Sequence, residues 1–284
     1  MSLVMSVRFD GEILSNAHYI SLRTASKVFG HLQRAMDRAH LEALGRLYKH
    51  ARLGNESYRD HVIWLGDSRP NCRTFDILAS ENDKQIIRRV RDAWGTAMGN
   101  LVQNDIAREQ MSLKEEREQY LARVNGGFLQ PEAYPQFRRQ QDHFEHKFSE
   151  RAITKELVEI GSVVRSDGAG ENSCITINTH FDDNISIELN RHTAKLLSQL
   201  VGVKRLAPPV LYAGEYRGGD IYTKTGKFKN ALTANTMLIK FQSKDDAIFL
   251  NGFSGQVISI VCCPVLEYDT HDVECGDIYF LKKL

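Results

Sequence analysis

Apolar residues at Ile86, Ile87, Val90, Ala93, Trp94, Ala97, Met98, Leu101, Val102 and Ile106 recur at three- and four-residue steps. Side chains spaced this way fall on one face of an α-helix, and so much apolar surface must be covered by another layer. A second stretch imposes the same constraint. Leu22, Ala25, Val28, Phe29, Leu32, Ala35, Met36 and Ala39 share a helical face, with Lys27, Arg34 and Arg38 on the wet side. Ser21 is placed to cap its start. Leu41, Leu44 and Leu47 shift phase, which predicts a bend near Gly45 and a stop at Gly54-Asn55.

Strands are expected to supply the partner layer. Residues 4–9 read as a short strand, and residues 61–65 and 74–79 as the arms of a hairpin around turn-forming residues 66–71. Ser80 and Asp83 have the spacing of a capping box opening the helix through Trp94. Two amphipathic helices and a few strands bury their apolar faces together as a two-layer α+β unit.

The middle of the chain reads as mostly helical. Ser112 and Glu115 form another capping-box pattern, Gly126-Gly127 ends that helix, and residues 126–135 form a loop. A further helix carries Phe137, Phe144 and Phe148, and residues 152–163 extend it. Ile175 and Ile177, then Ile185, Ile187 and Leu189, alternate with polar residues, which predicts a hairpin with one wet face. A short helix over 193–201 precedes the break at Pro208-Pro209. Beyond it, residues 210–222, 237–241, 256–266 and 278–281 read as strands, with a short helix at 245–250. Short strands with one helical insert suit a small curled sheet or barrel, the OB-fold being one such form. The expected class is α+β in three consecutive parts. These are an α+β unit over 1–125, a helical connector with a β-hairpin over 126–206, and a small barrel-like unit over 207–284.

Composition narrows the function classes. With 37 basic and 36 acidic residues the chain has no overall field to steer a polyanion, so any nucleic-acid site must be a local patch. No run approaches the roughly 20 apolar residues that span a bilayer, and the first ten residues lack a secretory pattern. The expectation is a cytoplasmic protein that does not enter the membrane. Cys72, Cys174, Cys262, Cys263 and Cys275 are odd in number and never in C-x-x-C spacing, which argues against a disulfide framework or a tetrathiolate zinc site. Cys262 and Cys263 follow the apolar run 257–261 and are expected in a core.

The strongest local candidate for binding is Tyr222-Thr223-Lys224-Thr225-Gly226-Lys227-Phe228-Lys229, with Arg217 just upstream. Lysines there suit phosphate contacts, and Tyr222 or Phe228 suits stacking on a base, the pairing used by single-strand binders. Lysines on a hairpin also deter edge-to-edge pairing, which gives the segment an ordinary structural use. Arg88, Arg89 and Arg91 form a second basic run, read as the wet face of its helix, with a phosphate-contacting face as the alternative.

Catalytic signatures are weak. His143 with His146, His180 with Asp182 and His192, and His271-Asp272 with Glu274-Cys275 all lack a specific metal-ligand spacing, so no metal site is assigned. Asp182-Asp183-Asn184 reads as a sharp turn before it reads as a cation site. Cys72 beside Arg73 is a lone thiol near a lone cation. No G-x-S-x-G elbow, P-loop or Rossmann fingerprint occurs, so no nucleophile or cofactor is assigned.

Val7-Arg8-Phe9-Asp10-Gly11 leading into a long helix, Thr74-Phe75-Asp76-Ile77 ending a hairpin, and Lys224-Thr225-Gly226-Lys227-Phe228 near the C-terminus share a layout. It resembles that of uncharacterised bacterial proteins found near antiphage defence genes. The resemblance carries over no catalytic or binding residue and implies only a setting. The leading expectation is a non-enzymatic recognition or accessory protein that binds nucleic acid in a bacterial antiviral defence complex. Two other classes stay open. One is a metal-dependent hydrolase or nuclease with a site assembled from distant residues. The other is a structural protein that binds a protein partner or a second copy of itself.

Overall fold

The computed structural model describes residues 2–14, 19–54, 64–68, 73–81, 83–103, 111–181 and 183–284. In chain order its strands are β1 (Ser2–Asp10), β2 (Trp64–Ser68), β3 (Thr74–Ala79), β4 (Glu132–Ala133), β5 (Cys174–Thr179), β6 (Ser186–Asn190), β7 (Lys204–Leu206), β8 (Val210–Asp220), β9 (Thr225–Asn230), β10 (Thr236–Lys240), β11 (Val257–Glu267) and β12 (Ile278–Lys283). The α-helices are α1 (Leu22–Ala43), α2 (Lys84–Gln103), α3 (Leu113–Asn125), α4 (Tyr134–Arg138), α5 (Gln141–Arg165), α6 (Arg191–Gly202) and α7 (Lys244–Asn251). The fold is mixed α+β, and no described helix is long and apolar enough to cross a membrane.

The chain forms two compact units, each gathered from separate stretches. The first holds residues 1–47, 51–107 and 149–202, and the second 48–50, 108–148 and 203–284. This division differs from the three consecutive parts expected from the sequence. The reason lies in β5. It pairs antiparallel with β1, setting Val7 against Ile177 and Phe9 against Ile175. The hairpin expected in a connector therefore completes the N-terminal sheet.

In the first unit the sheet runs β2-β3-β1-β5-β6, with antiparallel neighbours. Val7, Phe9, Ile77, Ile175, Ile177, Ile187 and Leu189 are buried, while Arg8, Thr176 and Glu188 alternate with them on the wetter face. Phe29 of α1 packs edge-on against Phe9 and Phe75, with ring centroids 6.2 and 5.4 Å away. Ser21 caps α1 by accepting the Thr24 N–H at 3.1 Å. The helix does not bend near Gly45. It ends at Ala43, because Gly45 takes a left-handed φ of 62°. Leu47 instead packs against Leu41, Ala51 and Leu53 in a satellite cluster. Trp94 is fully buried, and its indole donates to the Ile153 carbonyl at 3.2 Å. Asp83, rather than Ser80, stands where α2 begins, since its carbonyl accepts the Ile87 N–H. The Ser80 hydroxyl donates to the Asp83 carboxylate instead of capping the helix itself. The β2 and β3 arms pair, with Trp64 opposite Leu78, but β2 continues to Ser68, opposite Phe75, so residues 66–68 expected in the turn belong to the strand. Residues 61–63 and 69–72 of the expected hairpin lie outside the described residues.

In the second unit β8, β9, β10, β12 and β11 close into a small five-stranded barrel, since β11 pairs back onto β8. Only β10 and β12 run parallel within it. Numbered from β8, the barrel order is 1-2-3-5-4-1 with a helix between the third and fourth strands, which is OB-fold connectivity. β4 and β7 add short strands beside β8 and β11. Tyr212, Tyr216, Phe228, Met237, Ile239, Ile260, Cys262 and Phe280 fill the interior, joined by Ala247 and Leu250 of α7. Closure demands small residues where β8 and β9 curl. A Cβ on Gly214 would meet the Lys229 carbonyl oxygen at 2.2 Å, and one on Gly226 would meet the Tyr216 ring at 2.9 Å. Helix α3 keeps its expected capping box, Ser112 with Glu115. Arg117 on α3 is buried and donates to the Phe280 carbonyl at 3.0 Å, fastening the helix to β12.

Candidate nucleic-acid interface

The basic hairpin of the sequence is the β8–β9 connection of the barrel. Its turn is fixed from within, because the Asp220 carboxylate accepts the backbone N–H groups of Tyr222 at 2.7 Å and Thr223 at 3.3 Å. Lys224 closes the turn with a left-handed φ of 53°. So tight a turn leaves the Tyr222 ring standing out, 79% exposed. The Lys244 ammonium lies 5.2 Å from the ring centroid, within cation–π range. Lys224, two residues on in the same turn, donates to the Gln242 carbonyl at 3.4 Å.

Along the strands the period of two sorts the remaining candidates. Gly226, Phe228 and Asn230 point inward, while Lys227 is exposed and Lys229 half-buried on the outer face. Lys227 lies opposite Leu238, and Lys229 opposite Thr236 and Glu215. Neither lysine side chain has a hydrogen-bond or ion-pair partner among the described residues. Arg217 is exposed but leans 3.5 Å from Glu215, which cancels part of its charge. The face is thus moderately basic.

One expected residue is overturned. Phe228 is fully buried in the barrel core, so it cannot stack on a base without opening the barrel. The structure brings together Tyr222 and Lys224 at the turn and Lys227, Lys229 and Arg217 on the adjoining face. Lys244 was missed by the sequence reading. It is the first residue of α7, held by a capping box between Ser243 and Asp246. That S-x-x-D pattern was a legible helix start, but its place beside Tyr222 depends on strand pairing.

The other candidates are occupied elsewhere. Arg89 pairs with Glu42 at 2.8 Å, and Arg88 and Arg91 lie over the Phe181 ring. His271 is buried, with Nδ1 donating to the Val265 carbonyl at 3.1 Å. Burial pulls its pKa down, against that hydrogen bond and nearby Asp272. Asp272 accepts the N–H groups of Lys49, Glu274 and Cys275. Cys275 beside it is buried, which pushes its thiol up to about 11. His180 Nε2 lies 3.0 Å from the Ser6 hydroxyl, and His192 is exposed on α6. Cys72, Asp182 and the side chains of His143 and His146 lie outside what is described. Among the described residues no group of three or more His, Cys, Asp or Glu side chains is placed to hold a metal ion. Cys262 and Cys263 are fully buried, and burial raises both thiols far above their ordinary range. No protein-family model, curated protein or solved structure matches this chain.

Proposed function

We propose that the barrel binds single-stranded nucleic acid, as a non-enzymatic recognition component of a bacterial antiphage defence complex. The defence setting rests on the resemblance described above. One observation carries the binding reading: an exposed aromatic, Tyr222, stands beside the Lys244 ammonium on a turn held by Asp220, at the rim of a barrel with OB-fold connectivity. Such barrels bind oligonucleotides through the face of their second and third strands and the loop between the first two. Here that face carries Lys227 and Lys229, and that loop carries Tyr222 and Lys224. Bases stack on the ring while phosphates contact the ammonium groups.

The test is fluorescence anisotropy of a labelled oligonucleotide against the full chain at low ionic strength, repeated as salt is added. Binding should weaken steeply with salt, because each neutralised phosphate releases counterions. Absence of binding to any single-stranded DNA or RNA at low salt overturns the proposal.

A second reading, a scaffold for a protein partner, draws on α7. This helix leaves Ile248 and Phe249 more than half exposed. Size-exclusion with light scattering that shows only a monomer, with no partner in a native pull-down, removes that reading.

A further inference from the structure

Away from the strand face just described, the second unit carries a cleft of about 380 Å³ between α3 and the β7–β11 pair. That volume lies within the range of small-molecule sites. It is lined by apolar Leu206, Ala207, Pro208 and Leu266 and by Tyr120, Arg123 and Arg205. Only one carboxylate, Glu116, lines it among the described residues. That group is committed, because it accepts the Leu206 backbone N–H at 2.5 Å and holds the end of β7.

The two cations differ in how free they are. Arg205 pairs with Asp269. Arg123, exposed in the last turn of α3, has no side-chain hydrogen bond or ion pair among the described residues. Tyr120 lies in the field of both. Burial, Cys263 and Glu116 raise its phenol pKa, while Arg123 and Arg205 each pull it back. Both guanidiniums line the same cleft as that phenol ring. An aromatic ring, apolar lining residues and two planar, permanently charged forks fit a flat body that bears a phosphate.

We propose that this cleft binds a mononucleotide-sized organic phosphate, with the phosphate on Arg123 and Arg205 and the flat ring against Tyr120 and the apolar lining. The site is separate from the strand face that carries Lys227. Either can exist without the other, and their failures are distinguishable.

The experiment is isothermal titration of the full chain with each of the four ribonucleoside 5′-monophosphates, with adenosine and inorganic phosphate as controls. At least one nucleotide should bind saturably, more tightly than either control. Arg123→Gln keeps the helical stem and should weaken that binding about tenfold or more, the loss of a charged hydrogen bond. Arg205→Gln should weaken it in the same direction. Tyr222→Ala should leave it unchanged, and Arg123→Gln should leave oligonucleotide affinity within about twofold by the same arithmetic. Far-UV circular dichroism confirms that each variant is folded. Binding of none of the four nucleotides overturns the proposal. So does adenosine binding as tightly as its phosphate, or an unchanged affinity in folded Arg123→Gln.

Discussion

Replacing Tyr222 with alanine separates binding from folding more cleanly than any other change in the barrel. The ring is 79% exposed, so its truncation opens no cavity. The described contact it loses is with the Lys244 ammonium 5.2 Å away, and an exposed cation–π pair contributes about 0.5–1 kcal/mol. The turn keeps its shape, because Asp220 holds backbone N–H groups that alanine retains. Stability should therefore fall by less than about 1 kcal/mol. Binding should suffer far more. Stacking of one base on an aromatic ring contributes about 1–3 kcal/mol, which corresponds to an affinity loss of about 5- to 150-fold. Tyr222→Phe keeps the π-face and should bind nearly as well as the parent. The assay is anisotropy of a labelled single strand at fixed low salt, with urea denaturation of the same samples. Loss of less than about twofold in Tyr222→Ala, in a protein whose parent binds, refutes the stacking argument.

Lys227→Ala should flatten the dependence of log affinity on log salt by about 0.7, one single-strand phosphate contact, while binding itself persists. Phe228→Ala should cost about 3–5 kcal/mol in urea denaturation, since it hollows a closed barrel, and a cost below about 1 kcal/mol would contradict its burial. Burial opposes ionisation of Asp277, but hydrogen bonds and ion pairs with Lys240 and Lys49 prevail and hold its carboxyl below the ordinary value. The unfolded chain therefore takes up this proton first. Its stabilisation is complete above about pH 4 and is lost as the pH falls through the lower folded value. Asp277→Asn should remove that part of the acid sensitivity, read as the urea midpoint against pH. Cys262 and Cys263 should resist a thiol reagent in the native protein and react once it is unfolded; peptide mapping that finds them labelled under native conditions would place them outside the core.

Much of the local structure was legible because it rests on neighbours in the chain. Ser21 before the Leu22–Ala39 pattern, and Ser112 with Glu115, each satisfy N–H groups within one turn, so short spacing suffices to find them. The alternation of Met237, Ile239 and Phe241 placed β10 for the same reason. Phe228 was misread although the signal was present. It sits between two lysines in a strand, and a period of two sends it to the face opposite them. What spacing could not carry was pairing between distant segments. Ser6 and His180 meet across a separation of 174 residues. Nothing in either segment alone states that β5 chooses β1 over a barrel strand, and the domain boundaries failed with it. The same limit hid Lys244 beside Tyr222 and the cleft under Tyr120, which only tertiary pairing assembles.

The late arrival of β5 has a consequence during synthesis. When β1 and β3 have left the ribosome, their sheet still lacks β5, and the rim of β1 that will receive that strand offers unpaired amide and carbonyl groups to any passing chain. That exposure lasts until residue 179 emerges. A nascent chain stalled before this point should therefore be a substrate for chaperones or a seed for aggregates, while one released after residue 190 can seal its own seam.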